Sequence, residues 1–137
     1  MKRAVTIVLV VIALTAVLAA QDKQTQAAQK SAESWLAMVD SGSYDGSWDE
    51  AASIFKNAIT KEQWKKAVTT ARGPLGKLVS RKLKSAQFTT ELPGAPDGKY
   101  VVIQYETSFE NKKSAVETIT PMLDKDGQWR VSGYFIR

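Results

Sequence analysis

Between residues 73 and 78 the hydrophobic period of this chain changes, and that change restricts the fold more than any other feature. Before it, apolar residues recur every three or four positions. After it, they alternate. Ala28, Ala32, Trp35, Leu36 and Val39 fall on one stripe of a helix with 3.6 residues per turn, and the run Asp40, Ser41, Gly42, Ser43 stops it. Ser47 and Glu50 have the spacing of a capping box, predicting a second helix with Trp48, Ala51, Ala52 and Phe55 on one face and an end near Asn57. Thr60 and Gln63 form another such box, with Ile59 placed to close on Trp64 as a hydrophobic staple. The third helix this predicts turns Trp64, Ala67, Val68 and Ala71 to the core, places Arg72 at its negative end and stops at Gly73 and Pro74. Strands are then expected over residues 78–88, 100–109, 115–123 and 129–136, with turns over 92–98, 111–113 and 124–127. Helices first and tightly connected strands after them predict an α+β fold: three N-terminal helices on one face of a curved four-stranded antiparallel meander.

Ahead of that domain, Lys2 and Arg3 precede an apolar run over residues 4–18 that ends in Ala19 and Ala20. This is the three-part pattern of a secretory signal peptide, expected over residues 1–20, with Val17 and Ala19 fitting the small-residue cleavage rule. An uncleaved membrane anchor is the competing reading, because residues 4–20 just reach spanning length. The Ala-rich run and its cleavage-like end favour a cut after Ala19 or Ala20. Residues 21–26 are polar and aperiodic and read as a flexible lead-in, so the folded unit is expected within 21–137 as one domain, periplasmic or secreted.

The chain has no cysteine and no histidine. That removes disulfides, thiolate metal sites, cysteine nucleophiles and the commonest general base, and no metal or cofactor is expected. Charge is uneven: residues 21–55 carry a net −4, residues 56–84 a net +8 and residues 85–137 a net −1. The basic middle third, with Lys61, Lys65, Lys66, Lys77, Lys82 and Lys84, is a candidate surface for anionic polymer or lipid. Its plainer reading is a solvated helix face. The bases are not interleaved with aromatics as a nucleic-acid groove requires, so no specific nucleic-acid partner is expected.

A family resemblance emerges from residues spread through the domain. Trp35, Leu36, Asp40, Gly42 and Tyr44 open the pattern, followed by Ser47, Trp48 and Phe55, then Trp64, Arg72, Pro74, Leu75, Gly76 and Arg81. Pro93, Gly94, Asp97, Gly98, Tyr100, Phe109 and Glu117 continue it, and Gly127, Trp129, Arg130, Val131, Gly133 and Tyr134 close it. In this order the chain resembles a bacterial exported family, domain of unknown function 4019. The resemblance implies an export signal and a compact α+β domain of the nuclear-transport-factor-like cone type, and it brings no assigned activity.

Strand alternation singles out two charges. Glu117 shares a face with Ala115 and Ile119, and Arg81 shares one with Val79 and Leu83. If both faces meet the helices, each charge predicts the other as its partner, because an unpaired buried charge is costly. Such a pair is either scaffold or the polar spot of a ligand pocket lined by Tyr105, Phe109 and Trp129. Ser80 and Lys82 are same-face neighbours beside Lys84 rather than a catalytic dyad, and no carboxylate spacing compels acid–base chemistry. Trp35, Trp48 and Trp64 sit on apolar stripes and read as core, leaving Trp129 as the one indole of ambiguous use. The leading functional expectation is a non-enzymatic exported module that binds a small ligand or an envelope protein in the concave side of its sheet. The alternatives are a basic envelope-surface protein that binds anionic polymer or lipid and, last, a small cone-fold enzyme, and an open sheet leaves room for a homodimer.

Overall fold

The computed structural model describes the backbone of residues 2–137, with side chains from residue 14 onward. Four α-helices come first: α1 (Lys2–Asp40), α2 (Tyr44–Asp49), α3 (Ser53–Ala58) and α4 (Lys61–Arg72). A 3-10 turn (Gly73–Leu75) leads into β1 (Leu78–Thr89), β2 (Tyr100–Phe109), β3 (Lys112–Leu123) and β4 (Trp129–Ile136). The strands form one open antiparallel sheet in the order β1-β2-β3-β4. The α+β class and the meander are therefore as the hydrophobic pattern predicts.

The helices differ in detail. Most of the export segment expected over residues 1–20 falls outside the described side chains. The lead-in expected over 21–26 is helical, part of the single helix α1. The cause is local: no glycine or proline interrupts the chain before Gly42, so nothing stops the helix earlier. Gly42, at φ +80°, ends it, and the Ser43 amide reaches back to the Met38 carbonyl at 2.8 Å. Among the described residues, no helix is long and apolar enough to cross a membrane.

Ser47 is not a helix cap. It lies inside α2 and is buried, because two tryptophans use it: Trp35 Nε1 donates to its carbonyl at 2.8 Å and Trp64 Nε1 to its hydroxyl at 2.9 Å. A buried indole N–H needs an acceptor. The single helix expected from Ser47 to Asn57 is instead broken into α2 and α3. The first amide of α3, Ser53 N, is held at 3.0 Å by Asp124 from the β3–β4 turn. Thr60 and Gln63 do form the predicted capping box at the start of α4.

One face of the sheet carries the helices. Trp35, Leu36 and Val39 of α1, Phe55 of α3 and Trp64 and Val68 of α4 pack with Val101, Ile103, Tyr105, Ile119 and Val131. Trp64 lies 5.7 Å from Trp35 and 5.1 Å from Phe55, centroid to centroid. A smaller cluster of Ala52, Tyr100 and Met122 closes the far end. Gly76, at φ +73°, carries the chain from the 3-10 turn into β1. A Cβ there would stand 3.0 Å from Glu110 Cβ, so the approach of this segment to the β2–β3 turn requires glycine.

Candidate functional site

The predicted pairing of Arg81 with Glu117 is present. Arg81 Nε donates to Glu117 Oε1 at 2.7 Å and Nη2 to Oε2 at 3.2 Å. Strand register brings them together: Arg81 pairs with Thr107 across β1–β2, and Tyr105, two residues earlier on β2, pairs with Glu117. Two further charges, not anticipated as members, complete the cluster. Asp40, the last residue of α1, takes a bidentate pair of hydrogen bonds from Arg81 at 2.8 and 2.9 Å and forms an ion pair with Arg72 Nη2 at 3.0 Å. The Arg72 guanidinium also lies 4.7 Å from the centre of the Phe109 ring, which partly compensates Nε and Nη1, buried without hydrogen-bond partners. Thr107 Oγ1 donates to Glu117 Oε1 at 2.5 Å, and the Tyr134 hydroxyl donates to Glu117 Oε2.

The cluster thus balances two carboxylates with two guanidiniums in a site where Glu117 is 0% exposed. Burial works to lower the Arg81 pKa, but hydrogen bonds to Asp40 and Glu117 outweigh it and hold the guanidinium above its ordinary value. Burial, followed by the adjacent Glu117 charge, pushes the Tyr134 hydroxyl well up, so it remains a donor. Tyr105 is pushed up to about 12 by burial and then by the Glu33 charge.

The five residues expected around a pocket do not share one. Arg81, Tyr105 and Glu117 are neighbours and Phe109 joins them through Arg72, whereas Trp129 begins β4 beside α1, where its carbonyl accepts from Ser31 Oγ at 2.7 Å. The expected ligand space is filled by protein: Asp40 and Arg72 occupy it, and Glu117 and Phe109 present no surface. Val79 and Leu83, expected to face inward beside Arg81, are 64% and 43% exposed. β1 is an edge strand with irregular register at 78/80 and 83/85, and the helix layer leaves both residues uncovered.

The basic residues also separate. Lys61 pairs with Asp49 at 2.7 Å and lies over the Trp48 ring, while Lys65 and Lys66 are exposed on α4. Lys77 precedes β1, with its amide held by Glu110. Lys82, one position from the inward Arg81, points to the other side of the sheet and lines a concavity of about 570 Å³ of mixed character with Ser80, Glu106, Ser108, Lys113 and Val116. Lys84 is exposed on the same edge strand. These six charges therefore lie on both sides of the sheet rather than in one patch.

A different feature stands out at the opposite edge. Between α4 and the end of β4 lies a groove of about 400 Å³ walled by Trp64, Ala67, Val68, Ala71 and Leu75 on one side and Tyr134, Phe135 and Ile136 on the other, with Lys112 at its end. Ala67 and Ala71 belong to the apolar stripe predicted to be buried. Only Trp64 and Val68 of that stripe are covered, and both alanines stay exposed, lining the groove that separates α4 from the end of β4. Facing them, Phe135 is 53% exposed. The polar side-chain atoms of the aromatic walls are already engaged, Trp64 Nε1 by Ser47 and the Tyr134 hydroxyl by Glu117. The helical period named the stripe; what sequence reasoning missed is that no element covers half of it.

Among the described residues, no group of three or more acidic side chains is arranged to hold a metal ion. No curated protein matches the chain. Residues 31–134, from the last turns of α1 into β4, match the family described as "Protein of unknown function (DUF4019)", and the chain belongs to that family.

Proposed function

We propose that this protein is an exported binding module of the bacterial envelope, with a cone-type domain over residues 21–137, and that it holds its ligand in the groove between α4 and β4. The observation that carries this reading is the uncovered half of the α4 stripe, where Ala67 and Ala71 face Phe135 across an unfilled apolar space. Exposed apolar surface that the fold itself does not bury is retained for something else to cover. A concavity of this size lies at the small end of ligand pockets, which span roughly 300–1,000 Å³. The groove offers contact area and no free acid, base or nucleophile apart from Lys112, which argues for binding rather than chemistry. Export is supported by the Lys2, Arg3 and 4–18 pattern, and N-terminal sequencing of the envelope-extracted protein tests it: a start at Ala20 or Gln21 is expected, and a start at Met1 contradicts it.

The direct test is native mass spectrometry of the protein purified gently from its own envelope fraction. A reproducible added mass that disappears in a folded Ala71→Trp variant is the expected result. An added mass that survives groove filling but is lost in a folded Lys82→Ala variant would move the site to the outer sheet face.

A further inference from the structure

Resting on that reading, we infer that the groove's occupant is a single-chain amphipathic carboxylate, its apolar body between α4 and β4 and its anionic end at Lys112. The ligand's chemistry follows from which protein atoms remain unused. Inside the groove the polar side-chain atoms, the indole N–H of Trp64 and the hydroxyl of Tyr134, are bound to Ser47 and Glu117, so a polar group seated against them would lose its water and gain no side-chain partner. With the exposed Ala67, Ala71 and Phe135 as the walls, the occupant's body is apolar.

Lys112 is the exception. It starts β3, is half-buried, is the one charged side chain lining the groove, and makes no ion pair within 4.0 Å among the described residues. One ammonium matches one negative charge. A phosphate dianion calls for a second cation or a set of converging N–H donors, which the groove residues do not supply. The volume of about 400 Å³ restricts the body to one chain rather than two.

Calorimetric titration of the full chain with decanoate and with uncharged decan-1-ol, both below self-association, tests the assignment. One decanoate per chain is expected. Lys112→Glu should weaken decanoate by about tenfold or more, equivalent to about 1.4 kcal/mol, and leave decan-1-ol unchanged. Ala71→Trp should remove both, and Phe135→Ser, an exposed change that keeps the fold independent of the outcome, should weaken both. Unchanged decanoate binding in Lys112→Glu overturns the carboxylate assignment and leaves the groove standing. Unchanged binding of both probes in folded Ala71→Trp and Phe135→Ser overturns the groove with it. A concentration-dependent dimer by sedimentation that Ala71→Trp dissociates makes the occupant a second copy, and the carboxylate assignment falls.

Discussion

The polar cluster around Glu117 and the groove beside α4 invert the usual arrangement of a small domain. Four charges are inside, and an apolar stripe is half outside. They are joined by one residue, since Tyr134 donates to Glu117 and also walls the groove. The difference between them is one of satisfaction. In the cluster Glu117 accepts from Arg81, Thr107 and Tyr134, and Asp40 binds both Arg72 and Arg81, tying α1, α4 and all four strands together. In the groove the alanines and Phe135 have surface without a partner. A buried network whose carboxylates are paired holds register even with Arg72 Nε and Nη1 left without hydrogen bonds, whereas exposed apolar surface is what a partner covers.

The sharpest way to break this contrast is to remove a cluster member. Glu117→Ala leaves Arg81 buried with half its partners and should cost about 3–5 kcal/mol in urea unfolding, with Glu117→Gln costing less. If Glu117→Ala is as stable as the parent and instead abolishes decanoate binding, the roles of the two regions are reversed. Next in size, Thr60→Ala removes the cap that orients α4 over the groove and should cost about 1 kcal/mol by the same measurement.

A pH comparison separates the charged regions. The Asp126 carboxylate is held down to about 2 by hydrogen bonds from Arg130 and the Gln128 amide, and Asp124 is also lowered, with backbone and side-chain hydrogen bonds from Lys125 and Ser53 outweighing burial. A depressed folded pKa contributes stability above the unfolded value near 4, and that contribution is lost as pH falls through the folded value. The stability difference between the parent and Asp126→Asn should therefore be constant above about pH 4 and shrink toward pH 2. A difference that stays constant across that window would show that the charged β3–β4 turn does not contribute in this way. The smallest effect is expected in the groove: Ala71→Trp should change stability by no more than about 0.5 kcal/mol, because the site is open. A loss of several kcal/mol there would mean that the groove is core and not a binding surface.

How much was legible in the sequence depended on how local the cause was. β2 and β4 begin and end where alternation and turn residues put them, and the α4 cap follows from Thr60 and Gln63 three residues apart. Ser47 was misread because its spacing to Glu50 imitates a cap, while the groups that claim it, Trp35 and Trp64, lie 12 and 17 residues away. The Arg81–Glu117 pair was readable from face alternation and charge cost. Asp40 was not, since a helix-terminal aspartate reads as a stop signal until two arginines from other elements arrive.

By itself, then, the sequence determined the α+β class, the strand order implied by tight turns, the 3.6-residue stripes and one buried ion pair, because each depends on periodicity or on the cost of an isolated charge. Only the tertiary structure decided which parts of those stripes are covered. Burial of Ala67 and Ala71 depends on how closely α4 approaches β4, a spacing between elements that no local pattern encodes, and that spacing left the groove open.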